Sequence, residues 1–151
     1  MNYAAPQKTA ILADLQALVT AGTLQQVFAD DYSKLNPLDR NITATPCAVV
    51  LPPLVQTSEY EDQATNRRTY TWYILVAVNS SNTNGQTTLL ENLMDSVLNA
   101  FDADCTLQGT SDAAVLPAIL EPPGIISAQN VSYATFYVVL KASKLVPAGV
   151  Q

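Results

Sequence analysis

The run TYTWYILVAVN, Thr69 to Asn79, decides the fold. In an extended chain Tyr70, Trp72, Ile74, Val76 and Val78 fall on one face, and Thr69, Thr71, Tyr73, Leu75 and Ala77 on the other. Its β-branched and aromatic residues fit a pleated, half-buried surface. Toward Asn79 both faces are apolar, so this end is expected to be a central strand covered on both sides. Eleven extended residues span roughly 36 Å. That is long for a small domain, and one end is expected to project beyond the core.

Downstream, Ser80 to Gln86 with Asn84-Gly85 reads as a turn. A helix then runs from about Thr87 to Ala103, capped by Thr87 or Thr88, with Glu91 near its N-terminus. Leu90, Leu93, Met94, Val97, Leu98 and Phe101 form its apolar stripe. Asp102 and Asp104 stand at its C-terminal end, where the helix dipole disfavours them. Ala113 to Leu120 reads as a strand interrupted by Pro117, and Pro122-Pro123-Gly124 as a turn. Val131 to Leu145 reads as a second long strand, with Val131, Tyr133, Thr135, Tyr137 and Val139 on one face and Lys141 and Lys144 near its end.

Upstream, Ile11, Leu12, Leu15, Leu18 and Val19 make one helical stripe. Pro6 suits the first turn and Gly22 the stop, giving a helix over Pro6 to Ala21. Thr23 to Phe28 is read as a short strand and Asp30 to Thr45 as loop. Cys47 to Leu51 (CAVVL), bounded by prolines, is read as a buried strand. Together these elements predict one α+β domain over 1–151. Its sheet is mainly antiparallel, two principal helices pack on it, and a long hairpin protrudes.

Composition narrows the function. The 151 residues are enough for one core without disulfides or metals. Charged residues are only 13% of the chain, about half of typical usage, so Thr, Asn, Ser and Gln supply much of the polar surface. Such a surface suits either an ordinary low-charge globule or a subunit that packs against others. Net charge is −6, with seven basic residues, which argues against a groove gripping nucleic-acid phosphates. Cys47 reads as a buried small hydrophobe, and two distant cysteines make no disulfide framework, so a reducing cytosol is expected. MNYAAPQKTA has no basic segment leading into an apolar stretch, and no apolar run is long enough to span a bilayer. No membrane partner is expected.

Catalytic chemistry has little to build on. Histidine is missing, which removes Ser-His-Asp and Cys-His triads and the usual zinc sites. Five scattered glycines form no phosphate-binding loop. Glu59 and Glu61 would share a face of a strand. They are either weak ligands for a hard cation or a solvated acidic patch. The cluster Tyr70, Trp72, Tyr73, Tyr133, Phe136 and Tyr137 lacks basic neighbours and reads as core packing rather than a base-stacking sheet. No catalytic residue, metal or cofactor is assigned.

Leu54 to Arg68 is the candidate interaction element. Glu59, Glu61 and Asp62 lie on one limb and Arg67 and Arg68 on the other, which suits an antiparallel excursion with cross-strand charge pairs. These five residues either meet a neighbouring subunit or cap the hairpin within their own.

The order of these parts resembles the tail terminator and tail-completion proteins of tailed bacteriophages. An N-terminal helix leads to CAVVL, then the charged excursion TSEYEDQATNRR and the strand TYTWYILVAV. The turn NSSNTNG, the helix LLENLMDSVLNAF and the strand VSYATFYVVLKASKL follow. The resemblance covers nearly the whole chain and rests on order and spacing, not on an invariant motif. It implies a structural virion subunit, assembled in the host cytoplasm and forming a homo-oligomeric ring, usually a hexamer, on the tail tube. The ring would end tail elongation and offer a surface to the head–tail connector. DNA would pass through its lumen without specific binding. On this reading Glu59, Glu61 or Asp62 of one subunit approach Arg67, Arg68 or a lysine of the next. The alternatives are a head–tail connector or neck ring, a monomeric ligand-binding module, and an enzyme using Asp30, Asp31 or Cys105.

Overall fold

The computed structural model describes residues 2–31, 36–79 and 86–147, without the side chains of 86–88 and 120–123. The element order is α1 (Ala4–Thr20), β1 (Gln26–Ala29), β2 (Cys47–Val50), β3 (Val55–Tyr60), β4 (Thr65–Asn79), α2 (Gln86–Ala103), β5 (Ala118–Ala128) and β6 (Val131–Pro147). All six strands form one sheet in the order β1-β2-β4-β6-β5, with β3 also paired to β4. β1 and β2 run parallel, and every other pair is antiparallel. The protein is therefore α+β, with a mainly antiparallel sheet.

β4 is the spine. All 15 of its residues pair with β6, from Thr65↔Pro147 to Asn79↔Tyr133. Its other edge is shared end to end: β2 takes Ile74 to Ala77, and β3 takes Asn66 to Thr71. The expected facial split holds. Tyr70, Trp72, Ile74, Val76 and Val78 join Ile11, Leu15, Leu93, Val97 and Phe101 of the helices in the larger core cluster. Leu75 and Ala77 join Cys47, Val49, Leu51 and Tyr133 on the opposite face, with Tyr73 packed alongside.

That second face is roofed by the connection between β1 and β2 rather than by a helix. Leu38 is buried against it and Ile42 packs beside it. Asp30, itself buried, binds the Arg40 guanidinium at 2.6 Å, and the Arg40 Nε donates to the Pro37 carbonyl. Arg40 also lies over the Phe28 ring, 5.4 Å from its centroid. The Asn36 side chain donates to the Ser127 carbonyl and Gln129 donates to Asp39, so the roof is tied to the end of β5 and the turn that follows it.

α1 begins two residues before the expected Pro6, because Asn2 Oδ1 accepts from the backbone N–H groups of Ala4 and Ala5. Pro6 still lies in the first turn, where its missing N–H costs nothing. Gly22, at φ +83°, ends the helix as expected, and its N–H donates to the Val19 carbonyl. Of the turn read over Ser80 to Gln86, residues 80–85 lie outside the described residues; α2 begins at Gln86, so Thr87 and Thr88, expected as caps, fall within its first turn, and their side chains are outside the described residues.

Pro122-Pro123-Gly124 corrects the sequence reading. The chain does not reverse there; β5 runs through it, with a register shift against β6 between Leu120 and Gly124. β5 is the sheet's edge, and prolines are tolerated on an edge where no ladder hydrogen bond is required. The reversal comes at Gln129 and Asn130, both at positive φ (52° and 64°), which is the two-residue hairpin geometry that matches strand twist.

Candidate functional site

β4 outruns the core. From Thr65 to about Tyr70 it forms, with β3 and the end of β6, an arm whose outer strand is exposed at all six residues. Pairing places Glu59 opposite Arg67, Ser58 opposite Arg68 and Tyr60 opposite Asn66. Beyond β4, Arg67 faces Leu145 and Arg68 faces Lys144. Alternation then puts Glu59, Arg67 and Leu145 on one face of the arm, and Tyr60, Arg68 and Lys144 on the face the helices occupy further along.

Each of the five candidate residues has a defined place. Asp62 shapes the tip: its Oδ1 accepts from the backbone N–H groups of Ala64 and Thr65, both at 2.8 Å, and from the Thr65 hydroxyl. These bonds, the Ala64 N–H first, hold its carboxyl below the usual range. Glu61 chelates Arg67, with Nη2 to Oε1 at 3.2 Å and Nε to Oε2 at 3.3 Å. That hydrogen-bonded pairing raises the Arg67 guanidinium further above its ordinary value. Arg67 Nη1 also donates to the Ser143 hydroxyl. Glu61, Asp62 and Arg67 thus serve the hairpin's own geometry. Among the described residues, neither Glu59 nor Arg68 forms an ion pair.

Basic residues concentrate on and beside the arm, alongside its acids Glu59, Glu61 and Asp62. Arg67, Arg68, Lys141 and Lys144 are four of the chain's seven basic residues. Lys144 reaches Asp112 at 3.4 Å, and the other carboxylate oxygen of Asp112 accepts from the Leu145 N–H at 2.6 Å. Exposed apolar side chains occur along the arm too, Leu54 and Val55 at its base, Tyr60 near its tip on one face and Leu145 on the other.

Other candidate groups are placed apart from the arm. Glu59 and Glu61 do not form a joint carboxylate site, since Glu61 is taken by Arg67. No group of three or more potential metal ligands occurs among the described residues. Asp30 is committed to Arg40. Cys105 is exposed after α2, while Cys47 is buried, and burial pushes its thiol up to about 11. Two open dents, one bounded by Thr43, Thr45, Asn79 and Tyr133 and the other by Tyr3, Pro6, Thr110 and Lys144, hold about 150 and 160 Å³. Both fall short of the roughly 300 Å³ of a small ligand pocket. No helix of the described residues is long and apolar enough to cross a membrane.

Two features were not read from the sequence. Gln7 is fully buried; its Oε1 accepts from the Trp72 indole N–H at 3.0 Å, and its Nε2 donates to the Thr110 carbonyl. Its spacing four residues before Ile11 was the available signal. Asp14 of α1 meets Asp104, just after α2, within hydrogen-bonding reach. Both Oδ2 atoms are buried and accept from no donor among the described residues. Burial first, then Asp104, raises the Asp14 carboxyl to about 7. Asp104 Oδ1 accepts from the Gln108 N–H, which accounts for an acid at this helix end.

Scanned against models of protein families and against curated proteins, the sequence matches none.

Proposed function

We propose that this protein is a structural subunit of a tailed-bacteriophage virion. It forms a homo-oligomeric ring, hexameric by the resemblance, that caps the tail tube, ends tail elongation and presents a surface to the head–tail connector. The observation that carries this reading is the arm. A sheet needs no such extension to close its own core, and an exposed strand edge is a liability unless something covers it. Here the six residues of β3 are all exposed, while β4 and β6 stay paired to the arm's far end. Strand edges and faces of this kind are recurrent association surfaces, and a ring needs a head-to-tail contact between unlike patches. The charge balance fits the lumen: net −6 per subunit, summed around a ring, repels a passing duplex rather than holding it.

Native mass spectrometry with negative-stain microscopy over a concentration series, with and without purified tail tubes, tests the reading. Closed rings that seat on tube ends and stop tube growth are expected. A chain that stays monomeric in the presence of tubes and leaves their length unchanged overturns it. Rings that bind a head-side connector and ignore tubes shift the role to a neck component.

A further inference from the structure

Resting on the ring reading, we propose that the helix-side face of the arm docks the outer face of α2 in a second copy of this chain. Arg68 and Lys144 of one subunit would meet Glu91 and Asp95 of the next.

Three observations support this pairing. First, Arg68 and Lys144 are direct cross-strand partners, and like charges so placed repel. Only Lys144 has a counter-ion among the described residues, Asp112 at 3.4 Å. The cationic pair is thus incompletely neutralised within its own subunit. Second, α2 carries Glu91, Asp95 and Asp102 and no basic residue. All three acids are exposed, and none forms an ion pair among the described residues. Third, the spacings agree. Neighbouring strands stand about 4.8 Å apart, and residues four apart on a helix are separated by about 6 Å along its axis. Two carboxylates one turn apart can therefore meet two cations on adjacent strands.

The sheet geometry supplies the seat. In the core this face already receives α1 and α2. On the arm the same face continues from Lys144, flanked by Tyr3, Pro6 and Thr110, across Arg68 to Tyr60, which is 74% exposed opposite Asn66. A helix from another copy would lie there as the protein's own helices lie further along. The two patches are unlike and sit on one chain, so the contact is heterologous and can close a ring. This departs from pairing Glu59, Glu61 or Asp62 with an arginine across subunits, because Glu61 and Asp62 are already used within the hairpin.

Charge-reversal exchange is the test, read as the concentration at which rings form by native mass spectrometry. Arg68→Glu with Lys144→Glu should raise it about tenfold or more, and so should Glu91→Lys with Asp95→Lys. Mixing the two variants, or combining all four changes in one chain, should restore assembly to near the wild-type concentration. Mixing also guards against misfolding, since each variant keeps one wild-type patch. Rings from the wild-type chain whose formation either reversal leaves unaltered, or that the exchange fails to restore, would overturn the docking and leave the ring reading standing. A wild-type chain that never assembles would remove both.

Discussion

One strand, β4, passes through two environments. Between Ile74 and Ala77 every residue is fully buried, with helices on one face and the β1–β2 connection on the other. Between Thr65 and Thr69 every residue is part-exposed, and the strand is held by its two ladders and a few polar contacts. Hydrogen bonding is continuous along the strand, so backbone pairing does not distinguish the ends. Apolar burial does, at about 25 cal/mol per Å² of surface removed from water. Stability resides at one end, and the surface available to a partner at the other.

The largest predicted effect breaks that contrast at the core end. Ile74→Ala removes a fully buried side chain where neither face can collapse freely. It should cost about 2–5 kcal/mol in urea denaturation. Thr57→Ala, exposed on β3, should fall within about 0.5 kcal/mol of wild type. Equal losses at the two sites would mean that the arm is part of the cooperative core.

The same contrast explains what could be read from the sequence. Alternation in Thr69–Asn79 gave both faces correctly, because burial on both sides imposes a strict period of two. The α2 stripe was legible for the corresponding helical reason, except at Leu98, which is part-exposed and outside both core clusters. Gly22 marked its helix end because only a left-handed residue suits that position. What escaped were features set by partners distant in sequence. Pro122 and Pro123 look like a turn until β5 proves to be an edge. Gln129-Asn130 carries no glycine to announce a hairpin. Gln7 shares a helix face with Ile11, but the partner that satisfies it when buried, Trp72, comes from 65 residues away. At the candidate site the charges of the excursion were visible, but which of them pair inside the hairpin depended on register: Glu61 reaches Arg67, and Arg68 is left facing Lys144.

A second, smaller effect tests where the helices meet. Asp14 holds its proton up to about pH 7 in the folded chain, against 3.8 for the ordinary carboxyl. Between those values the folded state binds one more proton than the unfolded state, so stability falls as pH rises and levels off above about 7. The fully realised shift would amount to roughly 4 kcal/mol, but both carboxyls are part-exposed, and solvent screening reduces this to about 1 kcal/mol. Asp14→Asn should flatten the decline between pH 4 and 7 and raise stability at pH 8 by about that amount. Thermal melts across this range check it. An unchanged slope would show that another group carries the titration.

The smallest effect belongs to the arm itself. Glu61 and Arg67 form a two-point ion pair, a geometry that recurs where carboxylate recognition must be specific. Its energetic weight should nonetheless be slight. Side-chain exposures of 31% and 41% leave both partners hydrated and screened by salt, and holding two long side chains in one arrangement carries an entropic cost. A double-mutant cycle of Arg67→Ala and Glu61→Ala, followed by urea denaturation of the monomer, should give a coupling below either effect above, and smaller still at high salt. A coupling as large as the Asp14 effect would mean that the hairpin depends on this pair, and the arm would be a structural element in its own right. A weak coupling sharpens the comparison instead. The arm's charges then contribute little to the isolated subunit, and their arrangement is available to set register against a partner.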